Sequence, residues 1–109
     1  MAIHPSLVPF RCCVEFATDS ASVSCHGRLL RENIGEFKDV VRPLIARCRR
    51  IVLDLSDVDF MDSAGLGALV GLKASAVASA SCTLEFANFP PQLKELLETT
   101  MLGHYLGVR

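Results

Sequence analysis

The stretch "IVLDLSDVDFMDSAGLGALVGL", Ile51 to Leu72, decides the fold. Ile51 to Leu55 is a nearly continuous apolar run broken at Asp54, which suits a central strand covered on both faces. Asp54, Asp57, Asp59 and Asp62 are the densest acidic group in the chain, and Asp57 and Asp59 read as a solvated turn after the strand. From Ser63 to about Ser79 the spacing predicts a helix with an apolar stripe at Leu66, Leu69, Val70 and Val77. Alanine and glycine elsewhere in it allow close packing onto a sheet. Strand, turn and helix meet at the hydroxyl of Ser63.

Downstream, Cys82, Leu84 and Phe86 alternate with Thr83 and Glu85 as a further strand. "FPPQLKELLETTM" then places Pro in a first helical turn and Leu93, Leu96, Leu97 and Met101 at helical spacing, and the tail "LGHYLGVR" offers a last short strand. Upstream, Ile34, Phe37, Val41, Leu44, Ile45 and Cys48 form the stripe of an amphipathic helix starting near Asn33, with Pro43 set to kink it or end it near Arg42. Before that, Phe10 to Phe16 and Ala21 to His26 alternate around a short polar turn, the pattern of an antiparallel hairpin. Strands alternating with helices after a hairpin give an α/β sheet with parallel crossovers.

Composition bounds the function. A chain of 109 residues, 50% apolar and 21% charged, is one globular domain, residues 1–109, with no room for a second catalytic domain. A formal charge of -1 supplies no electrostatic attraction to nucleic acid or an anionic membrane. The basic cluster Arg47, Arg49 and Arg50 falls where a helix ends, as the helix dipole favours. The five cysteines include no C-x-x-C and read as buried thiols of a reducing compartment. No apolar run is long enough to cross a bilayer, and "MAIHPSLVPF" has neither region of a signal peptide, so the expected location is cytoplasmic.

The catalytic readings are poor. The four aspartates miss the calcium-loop pattern, because Met61 and Asp62 stand where an acid and a glycine belong. A phosphatase-like D-x-D at Asp57 and Asp59 lacks the longer scaffold that chemistry needs. Gly65, Gly67 and Gly71 miss the dinucleotide spacing at Val70, and no Walker lysine is present. Ser63 lacks the G-x-S-x-G setting of a nucleophile, and His4, His26 and His104 are poorly placed to serve as its base. Ser63 at a helix N-terminus, beside the small residues Ala64, Gly65 and Gly67, remains either a cap or a phosphorylation site. No cofactor or metal is expected.

The residues "VLDLSDVDFMDSAGLGALVGL" closely resemble the signature of STAS domains, and in particular of small bacterial anti-sigma factor antagonists. The pattern is an apolar strand, D-x-S-x-V-x-F-M-D-S, a small or hydroxyl residue, then G-L-G. This resemblance covers essentially the whole chain. It implies a mixed sheet of four or five strands with helices mainly on one face, and a binding module rather than an enzyme. It further implies a partner switch. The unphosphorylated antagonist binds a serine-kinase anti-sigma factor, a histidine-kinase-like ATPase; phosphorylation of the serine after the signature aspartate releases it, and a PP2C-type phosphatase restores it.

Carried over by position, that serine is Ser63 behind Asp62, and the docking surface comprises Asp62, Ser63, Ala64, Gly65, Leu66, Arg28, Leu30 and Glu32. Three departures bear on it. Ala64 stands where many members have a second hydroxyl. "GRLLREN" has Leu30 in place of the usual acid, with Glu32 two residues on. The sequence ends at Arg109, before the C-terminal helix usual in the family, which leaves an apolar face for weak self-association. The alternative function is a STAS scaffold, or a regulatory subunit of a transporter or lipid-transport ATPase, in which Ser63 is only a cap and docking residue. A small enzyme built on the Asp54 to Asp62 cluster is the distant third.

Overall fold

The alternating N-terminal residues form two strands, β1 (Arg11–Phe16) and β2 (Ser20–Leu29), paired antiparallel. This computed structural model describes residues 10–100. A 3-10 turn (Arg31–Asn33) leads into α1 (Ile34–Arg47), followed by β3 (Arg50–Met61), α2 (Ser63–Ser79), β4 (Thr83–Ala87) and α3 (Pro91–Thr100). The sheet order is β1-β2-β3-β4, with β2, β3 and β4 parallel. The described residues thus form a four-stranded mixed sheet with three helices. The expected strand in "LGHYLGVR" lies outside the described residues, as do His4, His104, Met101 and the side chain of Leu96.

One layer of the molecule takes most of its apolar side chains. Val23 and Cys25 of β2, Ile51, Leu53 and Leu55 of β3, and Leu84 of β4 are fully enclosed. Phe37, Val41 and Leu44 of α1 and Leu66, Leu69 and Leu72 of α2 belong to the same core. The opposite side of each strand is partly open and mostly polar: Ser22, Ser24 and His26, then Val52 and Asp54, then Glu85. The expectation that β3 is covered on both faces is therefore corrected. Its apolar run alternates in burial, and Val52 and Asp54 face the uncovered side.

The acidic segment is a second correction. It is not a turn, because β3 continues through it to Met61. Between the Ser24↔Asp54 and His26↔Asp57 pairs β3 carries one residue more than β2, and it does so again between Gly27↔Val58 and Arg28↔Phe60. Each bulge shifts the alternation by one. Burial consequently passes from every second residue, at Ile51, Leu53 and Leu55, to every third, at Val58 and Met61. Gly27 sits at the second irregularity with φ 99, a conformation that costs glycine little.

The helices depart from expectation in detail. Pro43 does not end α1 near Arg42, and the helix runs on to Arg47. Asp39 and Pro43 are both exposed, so the carbonyl that the proline leaves without a helical partner faces water. In α2 the buried positions are Gly65, Leu66, Ala68, Leu69, Leu72 and Ala76, whereas Val77 of the predicted stripe is 64% exposed. The amine of Lys73 donates to the carbonyl of Leu84 at 2.7 Å, tying α2 to β4.

Candidate functional site

Asp62 organises the end of β3. It is the N-cap of α2 in extended conformation, and its Oδ1 accepts from the N–H of Gly65 at 2.8 Å. Its Oδ2 accepts from the N–H of Arg31 at 3.0 Å, and its own N–H donates to the carbonyl of Leu29 at 3.3 Å. One carboxylate thus satisfies an orphan donor of the helix and holds the β2–α1 loop against it. Partial burial by itself would raise this carboxyl. The N–H groups of Gly65 and Arg31, the Arg31 charge and the N–H of Ala64 outweigh that and hold it below its ordinary value.

Gly65 makes this closeness feasible. A Cβ there would lie 2.6 Å from the carbonyl oxygen of Leu29 and 2.7 Å from Cγ of Met61. No such contact constrains Gly67 or Gly71, around which a Cβ would meet open space.

The β2–α1 loop is braced by a residue that the sequence reading used only to start a helix. The N–H of Leu30 donates to Oδ1 of Asn33 at 2.9 Å, and Nδ2 of Asn33 donates to the carbonyl of Arg28 at 2.9 Å. An asparagine just before an amphipathic stripe is a capping signal, but its clamp on the preceding strand requires the fold. Glu32 is exposed in this turn, and Leu30 is half-buried. The guanidinium of Arg28 lies 5.0 Å from the ring centre of Phe60, which is 45% exposed. Phe60 stands in the quoted signature, but its outward placement beside Arg28 depends on the second bulge and has no local mark in the sequence.

Ser63 occupies the first position of α2 and is exposed, and Ala64 beside it is half-buried. Among the described residues no hydrogen bond engages the Ser63 hydroxyl. Gly65 and Leu66 are buried, so their side of the helix faces the core and the loop. The structure therefore brings Asp62, Ser63 and Ala64 together with Leu30, Arg31 and Glu32 at the C-terminal ends of parallel strands, where α/β sheets commonly place their sites.

The other aspartates are dispersed by the bulges. Asp54 accepts from the N–H of Ser56 at 3.0 Å and from Nδ2 of Asn88 at 3.2 Å. The Ser56 N–H is the main reason its carboxyl is held below its ordinary value, against the opposing effect of burial. Asp57 approaches Nδ1 of His26 at 2.8 Å on the uncovered sheet face, so this histidine is already engaged. Among the described residues, no three His, Cys, Asp or Glu side chains converge as metal ligands do. No helix among them is long and apolar enough to cross a membrane.

The fold is similar to that of the Bacillus cell-fate determinant SpoIIAA in its phosphorylated form, with a TM-score of 0.69 at 20% identity over 85% of this chain and 86% of that one. An anti-sigma factor antagonist from Mycobacterium paratuberculosis gives 0.76 at 19% identity over 92% and 85% of the two chains. The murine Solute Carrier 26 family member A9 anion transporter gives 0.69 at 18% identity, over 83% of this chain but 15% of the transporter. These likenesses are of fold. Residues 12–108 match the STAS_2 family, described as Mlab, STAS domain, and the chain is a member of the STAS domain family.

Proposed function

We propose that this domain is an anti-sigma factor antagonist whose docking surface is the β3–α2 junction and whose binding is controlled by phosphorylation of Ser63. The observation that carries the reading is the position of that hydroxyl: exposed at the first residue of α2, on a junction fixed from beneath by Asp62. The domain acts by binding. Its surface combines Ser63 and Ala64 with the neighbouring loop at Leu30 and Glu32, and Arg28 flanks them. Asp62, Gly65 and Leu66 hold the geometry. The partner is a serine-kinase anti-sigma factor of the histidine-kinase-like ATPase type, opposed by a PP2C-type phosphatase, in the cytoplasm. Fold likeness to SpoIIAA in phosphorylated and unphosphorylated forms supports this reading.

The switch follows from electrostatics. A phosphoryl group adds about -1.5 to -2 charges, which the N-terminus of α2 tolerates in water and Asp62 opposes. Burying that dianion against a partner without counter-charge costs several kcal/mol. About 1.4 kcal/mol already changes affinity tenfold, so part of that cost suffices to exchange partners. Ser63→Asp is expected to weaken binding to the cognate kinase at least tenfold in titration calorimetry, and Ser63→Ala to bind as the unmodified protein does. Equal binding by both variants would sink the switch.

A second reading has its own support in the family description and in the likeness to a transporter's STAS domain. Here the domain is a scaffold or a regulatory subunit of a transporter or lipid-transport ATPase, and Ser63 is a docking residue without phosphorylation. Stable co-purification with a transport ATPase, insensitive to Ser63→Asp, would favour it.

A further inference from the structure

Cys12 of β1 and Cys25 of β2 stand directly opposite one another across the antiparallel pair. The N–H of Ala17 donates to the carbonyl of Ser20 at 2.9 Å, so the pair nearest the turn is hydrogen-bonded. Alternation along the ladder puts Glu15↔Ser22, Cys13↔Ser24 and Arg11↔His26 in the same class, and leaves Phe16↔Ala21, Val14↔Val23 and Cys12↔Cys25 as the non-hydrogen-bonded pairs. In such pairs the Cα atoms are about 4.5 Å apart and the side chains are closest. That separation falls within the roughly 4.4–6.8 Å that a disulfide spans.

Access is asymmetric. Cys25 is buried, whereas Cys12 is half-buried and borders an open groove of about 280 Å³ shared with Phe10, Arg11, Cys13, Glu36, Phe37 and Val40. A groove of this size admits several solvent-sized molecules. The geometry points to Cys12 and Cys25 as an oxidation site, at which a peroxide entering the groove joins the two strands by a cross-strand disulfide. The hydrogen bond from the Cys25 thiol, opposed by burial and by Glu36, lowers the Cys12 thiol, while the same bond and burial push Cys25 up. Cys12, open to the groove, is the attacking sulfur, and Cys25, buried behind it, is the resolving one.

The Cys12 thiolate attacks one peroxide oxygen, the O–O bond breaks, and the departing hydroxide takes a proton to form water. The resulting sulfenic acid is attacked by the Cys25 sulfur; the S–S bond forms, the S–O bond breaks, and the hydroxyl leaves with the Cys25 proton as a second water. Two thiols and one peroxide become one disulfide and two waters. The remaining cysteines are placed differently. Cys13 also borders the groove and is exposed, but its cross-strand partner is Ser24, so no second thiol stands opposite it, and Cys82, buried near Cys48, is pushed up by burial and by that neighbour.

Treating the full chain with hydrogen peroxide, alkylating it after denaturation and mapping its peptides tests this. The expected product is a monomer lighter by two hydrogens, with a Cys12–Cys25 cross-link, a higher thermal midpoint and full reversal by a dithiol. Cys13→Ser should keep the cross-link and Cys12→Ser should abolish it. Recovery of Cys12 as sulfinic acid with Cys25 alkylated would overturn the proposal, as would cross-links confined to Cys13 between chains or to Cys48–Cys82. The map of the unsubstituted chain decides this without relying on a variant's folding.

Discussion

The Asp62 carboxylate joins two loops that are 31 residues apart in the chain, and its removal should be felt in both. Asp62→Ala is expected to lower stability by about 1–3 kcal/mol, the loss of a helix cap together with a charge-assisted hydrogen bond, measured by urea unfolding. The same carboxylate gives a pH dependence. Its folded pKa, like that of Asp54, lies below the unfolded one, so the unfolded chain binds more protons across the interval between them. The contribution is present above the ordinary carboxylate value of about 4 and is lost as pH falls through the depressed folded values. The urea midpoint should fall below about pH 4, and Asp62→Asn should flatten part of that slope. Gly65→Ala drives a Cβ onto the carbonyl of Leu29, and a loss of about 1–3 kcal/mol is expected in the same assay. Gly67→Ala, in open space, should not destabilise the domain.

At the scale of the element, β3 shows where pattern reading succeeds and where it stops. The apolar run Ile51 to Leu55 marked the strand because a short apolar run is a local signal, whereas which face is covered depends on the packed helices, and there the burial alternates. Asp57 and Asp59 were misread as a turn because bulges are defined by the partner strand, and nothing local marks a period of three as extended backbone. The same logic covers the site. Asp62 and Ser63 were legible as a helix start, but the bond from Asp62 to the Arg31 N–H and the clamp of Asn33 on Arg28 join distant segments that only the fold brings together. In α2, the small residues made the stripe ambiguous, so Val77 was assigned to the core that Leu72 and Ala76 fill. This helix ends at Ala80 in the left-handed region, φ 60, where a Cβ is unfavourable. Ala80→Gly should therefore stabilise the domain by about 1 kcal/mol, read as a raised thermal midpoint.

At the scale of the molecule, most apolar side chains of the described residues lie in one layer between sheet and helices, and the other sheet face carries polar pairs. His26 with Asp57, Arg50 with Glu85 at 2.7 Å, and Asn88 with Asp54 run across β2, β3 and β4 on that side. Such a face, mostly polar with Val52 half-buried among the pairs, offers little apolar area to bury against a partner. The β3–α2 junction, with its small residues and unengaged hydroxyl, is the better docking surface. The most direct test is to incubate the purified domain with ATP, magnesium and each serine-kinase anti-sigma factor of its host, then measure intact mass and map any modification by fragmentation. The account predicts a single phosphoryl group on Ser63 with one of these kinases, and loss of that complex on modification. No phosphorylation by any of them, or phosphate elsewhere with binding unchanged, would contradict it.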